Sequence, residues 1–475
     1  MITTMILLFI VAYVMIAFEH PLRINKAAPA LIAGMVMWVL YILSAQELVP
    51  VVSATDFNYF LEINPSLQHK GLSEQVIDFV VEKQVLTHIG DIAEIILFLM
   101  AAMAIVEMID AHGGFMFITN RITTTNRKKL LWIIAFISFF MSAVLDNLTT
   151  SIVMVMLLRK LVANYKERWI FASIIIIAAN AGGAWSPIGD VTTIMLWVKG
   201  NITTSGIIPY LFLPSFVSMV ISTAIASRFL SKRAITVSKE RLEMINVVPL
   251  LTRYNRLAIL AIGVVCLLGV PVFKSITHLP PFIGMLLGLV IVWTYTELMY
   301  RRKKSMSENE KLRVSTILHR IDTTTIFFFL GILMAVSALE VSGVLGQFSQ
   351  FIDEKIGNIY IINIVIGVLS SIVDNVPLVA SAIGMYPVAN EAMIATATNP
   401  EYLSYFAVDG NFWQFLAYCA GVGGNILIIG SAAGVVVMGL ERINFVWYFK
   451  NISLLAFIGY LAGAAIYLLE VAIFQ

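Results

Sequence analysis

Apolar residues gather in long unbroken runs, with neither the alternation of a half-buried strand nor the stripe of a surface helix. Windows at about 2–19, 27–45, 92–110, 206–228, 255–273, 280–300, 322–345 and 446–470 are apolar nearly throughout. A run of roughly 20 apolar residues is what a helix needs to cross the hydrocarbon of a bilayer. Four further windows are interrupted. Those at 130–158 and 359–389 are broken near the middle by Asp146-Asn147 and Asp374-Asn375. Each is long enough for two short helices, so the pattern predicts re-entrant hairpins with Asp146 and Asp374 near their tips. A single tilted helix with a polar kink is the alternative. The windows at 169–198 and 412–439 carry glycine-rich interruptions instead, Asn180-Ala-Gly-Gly-Ala-Trp-Ser-Pro-Ile-Gly-Asp190 and Gly421-Val-Gly-Gly-Asn-Ile-Leu-Ile-Ile-Gly-Ser431, and predict broken helices.

The order of elements occurs twice: three spans, a hairpin, a broken span and a last span. The expected fold is therefore an all-α polytopic membrane protein, an inverted repeat of five spans plus one hairpin in each half. Ten full spans result, two of them broken. The halves are expected at 1–228 and 254–475, joined by a polar linker at 229–253. Charge supports the scheme. With hairpins that return to their starting side, 26 of the 31 Lys and Arg residues fall on one face. Basic loops mark the cytoplasmic side, so both termini are expected outside, in a membrane of the bacterial inner type. Duplicated, oppositely oriented halves with interrupted helices are the sequence mark of a secondary transporter.

Composition agrees and excludes much. Of 475 residues 59% are hydrophobic and 13% charged, with mean hydropathy +0.90; soluble domains carry about 25% charged residues. The polar stretches at about 46–90, 229–253 and 301–320 are too short to hold a core of their own. The N-terminus has no basic region before its first apolar run and is expected to be a retained span. Cys266 and Cys419 stand alone in apolar segments and read as buried thiols. Nothing in the chain suggests nucleic-acid binding. There is no zinc-protease or phosphate-loop motif, and the two aspartate contexts, Leu145-Asp146 and Pro187-Ile188-Gly189-Asp190, do not fit an intramembrane aspartyl protease. The chain is not expected to be an enzyme or to carry a cofactor.

The candidate chemistry lies at the interruptions. A charged carboxylate at the centre of a membrane helix costs about 2.5–3.5 kcal/mol on insertion scales, so Asp146 and Asp374 call for an explanation. Around them stand amides and hydroxyls: Asn147, Thr149, Asn180, Asp190, Thr192, Thr193, Asn375, Asn425 and Ser431. Such oxygen ligands suit a hard cation. Removal from water disfavours the charged form of a carboxylate, so protons and a cation compete for it. That competition is the simplest basis of exchange. Sodium is expected at Asp146, Asn147, Asp374 and Asn375. In the first break, Ser186-Pro187 has the form of an N-cap and first helical residue for the second half-helix. Structural readings stand beside these: both tip aspartates could simply cap their following helices, and the threonines could bond their own helix carbonyls. Glu94, in the third span, is a candidate for an ion path, His88 and His112 for pH sensing at its flanks, and Glu340 is ambiguous.

At Ser142 to Thr150, Asn180 to Thr193, Ser371 to Pro377 and Gly423 to Ser431 the chain resembles the NhaD family of sodium/proton antiporters, within the wider ion transporter superfamily. The resemblance covers nearly the whole length. It implies export of Na⁺, often Li⁺, in exchange for H⁺ by a hairpin-plus-broken-helix unit moving against a scaffold, in a homodimer. It also implies that Asp146, Asn147, Asn180, Asp190, Thr192, Thr193, Asp374 and Asn375 form the functional set. Arsenite or antimonite efflux permeases of the same superfamily share buried aspartates near hairpin tips and remain the rival reading. Sodium-coupled carriers of dicarboxylate or sulfate share the architecture, but their tips resemble Ser-Asn-Thr without a carboxylate.

Overall fold

Lipid offers the backbone no hydrogen-bond partner, so a chain this apolar must satisfy its peptide groups within each segment. Helices account for nearly all regular structure in the computed structural model. It describes residues 1–475 except 18, 116–123, 125, 163, 231–250, 302–310, 373 and 475. Most of the linker expected at 229–253 and most of the basic group after Arg301 therefore lie outside the described residues. Among those described, eight helices are long and apolar enough to cross a membrane, or nine if a bent pair counts as one span. The protein is a multi-pass α-helical membrane protein.

The chain divides into two units. The first comprises Met1–Ile96, Asp322–Ile362 and Val376–Phe406. Its centre is the crossing of helix Ala27–Val52 on helix Thr323–Val341. Gly34 and Gly331 face each other there: a β-carbon on Gly34 would stand 2.5 Å from the Gly331 carbonyl oxygen. Small residues let membrane helices approach to backbone contact, where dispersion replaces the missing hydrophobic drive. The Trp38 indole donates to the Met334 carbonyl at 3.0 Å beside this crossing. Toward its end the unit is tied by Asp353, whose carboxylate accepts the hydroxyls of Tyr386 and Tyr402 at 2.9 and 2.8 Å.

The third span begins earlier than its hydropathy predicts. Helix runs from Leu72 to Ala111, 40 residues, through a π turn at Phe79–Val85. Glu74, Asp78, Glu82 and Lys83 hide this start from any apolar window. His88 is consequently a residue of the helix, its ring 6.1 Å from that of Trp38, and not a flanking loop residue.

The second unit comprises Leu97–Ile321, Asn363–Asn375 and Ala407–Gln475. Helices Thr204–Phe229 and Ser453–Phe474 pack along each other, with Gly459 against Ser222 and the Ser218 carbonyl. The last expected window, 446–470, is corrected: Phe445–Asn451 is a separate short helix, bent 115° from Ala432–Glu441, and the final long helix starts at Ser453.

Eight helices carry the interrupted windows: α1 (Arg127–Leu145), α2 (Asn147–Leu161), α3 (Tyr165–Ala184), α4 (Val191–Val198), α5 (Ile359–Leu369), α6 (Asn375–Met385), α7 (Asn411–Gly423) and α8 (Ala432–Glu441). Each of the four windows is thus two helices with a break. The α1 helix, expected as one limb of a hairpin, is itself long enough to cross.

Candidate functional site

The first break turns on Asp146. Its backbone stands at φ 74°, ψ 161°, a region nearly reserved for glycine, where a side chain costs about 1–3 kcal/mol. Its carboxylate caps α2: Oδ1 accepts from the Thr149 amide and Oδ2 from the Thr149 hydroxyl, both at 2.8 Å. The structural reading of this aspartate as a cap therefore holds in its geometry. Each oxygen still has lone-pair capacity for a further partner.

Asp190 plays the same part in the second break. It is 2% exposed and caps α4, with Oδ1 facing the Thr192 amide at 3.5 Å. The Thr193 hydroxyl bonds back to the Asp190 carbonyl at 2.8 Å. Here the expected cap is corrected. Helix α4 starts at Val191, not at Pro187, and the Ser186 hydroxyl is turned instead to the Ala143 carbonyl at 2.6 Å. A carboxylate that accepts from free amides outcompetes a serine for the helix start, because it also answers the positive end of the helix dipole.

The break between α7 and α8 repeats this construction. Ser431 caps α8 by accepting from the Gly434 amide at 3.1 Å. Its backbone lies at φ −144°, ψ 151°, against φ −144°, ψ 148° for Asp190. Glycines make both breaks possible: Gly183 lies against Gly189, and Gly424 against Gly430, with no room for a β-carbon. The Ser142 hydroxyl donates to the Ala179 carbonyl at 2.6 Å, and the Ser370 hydroxyl donates to the Ala420 carbonyl at 2.9 Å. The counterpart of Ser142 is therefore Ser370 and not Ser371, which stands one residue too close to Asp374.

Amides connect the breaks. Asn147 donates to Asn180 Oδ1 at 3.0 Å, and Asn180 donates to Asn425 Oδ1 at 2.8 Å and to Ser431 Oγ at 2.9 Å. On the other side Asn375, the first residue of α6, donates to Asp190 Oδ2 at 3.3 Å. Asp190 also lies within electrostatic reach of both Asp374 and Asp146. Three carboxylates and four asparagines thus share one region of the second unit. Among the described residues no lysine or arginine bonds to Asp146 or Asp190, and Thr150 Oγ1 and Asn425 Nδ2 are buried without a hydrogen-bond partner. No three acidic, histidine or cysteine side chains converge as a metal cluster among the described residues; any cation here would take amide, hydroxyl or carbonyl oxygens beside its carboxylate.

Other candidates lie elsewhere. His88, Glu94 and Glu340 belong to the first unit. His112, in the second unit, is buried, with Nδ1 2.6 Å from the Met108 carbonyl and its ring 5.7 Å from that of Tyr300. Sequence reasoning missed Ala184, Ser370 and Gly421. The last gives no chemical signal of its own; only its register against Asn180 could have revealed it.

Fold and site together define a polytopic helical transporter with interrupted helices at a buried acidic centre. A family model described as CitMHS, citrate transporter, matches residues 13–408. Relatives include "Sodium/proton antiporter 2" of Arabidopsis thaliana, 40% identical with 98% of both chains covered, and "Sodium/proton antiporter 1" of the same plant, 41% identical over 98% of this chain and 72% of the relative. The "Na(+)/H(+) antiporter NhaD" of Alkalimonas amylolytica is 29% identical over 98% of this chain and 89% of the relative. The chain belongs to this transporter family, as an NhaD-type antiporter.

Proposed function

We propose that the chain exchanges Na⁺, with Li⁺ as a second cation, for H⁺ by alternating access. Cation and proton compete for the carboxylates of Asp146, Asp190 and Asp374. The observation that carries this reading is Asp190 held within electrostatic reach of Asp146 and Asp374 beside buried amides, while no basic side chain contacts Asp146 or Asp190 among the described residues. A site of that composition attracts a positive cargo, and when empty of it the same carboxylates take up protons. The matched caps of Asp190 and Ser431 and the matched serine bonds support an inverted repeat, with α1–α2 and α5–α6 as the two hairpins. The basic loops favour both termini on the side away from the cytoplasm. A citrate-like or other anionic cargo would meet three carboxylates and is disfavoured.

The test is transport by the full chain in proteoliposomes with a pH dye inside. Addition of Na⁺ or Li⁺ outside should move the internal pH, while K⁺, citrate and arsenite should not. A response to arsenite or citrate without one to Na⁺ overturns the proposal.

A further inference from the structure

The two breaks are built alike and finished differently. Gly421 precedes Gly424 by three residues and Ser431 by ten, as Asn180 precedes Gly183 and Asp190. From the first of these positions the Asn180 amide reaches Ser431 and its carbonyl takes the amide of Asn147. The equivalent position facing Asp190 has no side chain. A β-carbon on Gly421 would stand 3.4 Å from Asp190 Oδ2 and 3.1 Å from the β-carbon of Ala184. The Asn375 amide therefore meets Asp190 Oδ2 directly, whereas Asn147 communicates with Ser431 only through Asn180. One twin is neutral and filled by an amide; the other is charged and bare.

We infer that Gly421 fixes the position and size selectivity of the transported cation: by lacking a side chain it leaves Asp190 Oδ2 approachable on the side that Asn180 fills beside Ser431. The cation thus binds at one of the two twins only, against Asp190. This deepens the exchange reading and rests on it. A hard cation of calcium's size, as sodium is, sits about 2.3–2.6 Å from a carboxylate oxygen. A methyl group 3.4 Å from the same oxygen takes part of its coordination sphere. The smaller lithium ion needs less of that sphere.

The experiment compares wild type, Gly421→Ala, Gly421→Ala combined with Ala184→Gly, and Gly439→Ala in proteoliposomes, with folding followed by size-exclusion chromatography. A β-carbon at Gly439 meets nothing within 4 Å, so Gly439→Ala is the neutral control. The second variant removes the crowding against Ala184 but keeps the methyl beside Asp190, which also covers the case in which Gly421→Ala alone folds poorly. Half-saturating Na⁺ should rise about tenfold in both Gly421 variants, that for Li⁺ by less, with the maximal rate kept within about twofold. Unchanged half-saturation in Gly421→Ala overturns the inference, as does a return to the wild-type value in the double variant, which would assign the effect to helix crowding. A wild type without Na⁺-driven proton movement overturns the exchange reading itself and this inference with it.

Discussion

The break at Asp190 and the break at Ser431 share backbone angles, a capping side chain, glycine contacts and a supporting serine, yet only the first carries a charge. Their common frame shows what the fold needs: a helix end, a glycine-to-glycine contact and an oxygen acceptor for the next helix. Whatever differs is free of that duty. A serine suffices to cap α8, so a cap alone does not require the carboxylate at position 190, where desolvation makes it costly. The difference between the twins therefore separates architecture from chemistry within one molecule.

The sharpest way to break the comparison is to remove the charge at Asp190 and the hydroxyl at Ser431. Asp190→Asn keeps the cap and should lower Na⁺/H⁺ exchange about a hundredfold or more, as loss of a buried charged ligand does. Ser431→Ala loses only the cap and the Asn180 bond and should cost about tenfold or less. Equal losses in the liposome assay would mean that both twins serve transport alike. Asp146→Asn and Asp374→Asn extend the test to the hairpin tips. Asparagine caps as well as aspartate, so severe loss of exchange in correctly inserted protein would report the charge. Retained wild-type rates in both would leave these aspartates with a structural role only.

A milder effect concerns pH. Protonation of the carboxylates excludes the cation, so half-saturating Na⁺ should rise as pH falls, with the maximal rate reached at higher Na⁺. A half-saturation independent of pH would remove the competition on which exchange depends. The smallest expected effect lies away from the ion, at Glu441. Its fully buried carboxylate accepts from Arg159 Nε at 2.7 Å and Arg168 Nε at 2.8 Å, and so ties α8 to the α2–α3 corner. Arg159 also donates to the Leu440 carbonyl. Glu441→Gln removes the charge that Arg159 and Arg168 share, but their side chains are 36% and 18% exposed and water tempers the loss. Thermal unfolding should report about 1–3 kcal/mol of destabilisation with the Na⁺ half-saturation unchanged.

Much of the architecture was legible because lipid enforces it. Apolar windows mark helices, and their interruptions at Asp146, Asp374 and the two glycine-rich stretches are the breaks observed. Legibility failed where polar residues continue a helix, as at Leu72–Val85, and where two caps compete, as at Ser186 and Asp190. At the site, side chains announced themselves by type: aspartates and asparagines in apolar runs are conspicuous. Their pairing was not legible. That Asn180 bonds to Ser431 while Asn375 bonds to Asp190 depends on which helices cross, and hydropathy says nothing of crossings. Gly421 was hidden more completely, since its contribution is the absence of a side chain. The strain at Asp146, φ 74°, was equally silent, because residue type alone favours glycine there.

The central claim is that one set of buried carboxylates holds either the cation or the proton. It is tested most directly by recording the pH of weakly buffered, purified protein in detergent during a Na⁺ titration. The account predicts release of about one proton for each sodium bound, and loss of both signals together in Asp190→Asn. Saturable sodium binding without proton release would contradict it.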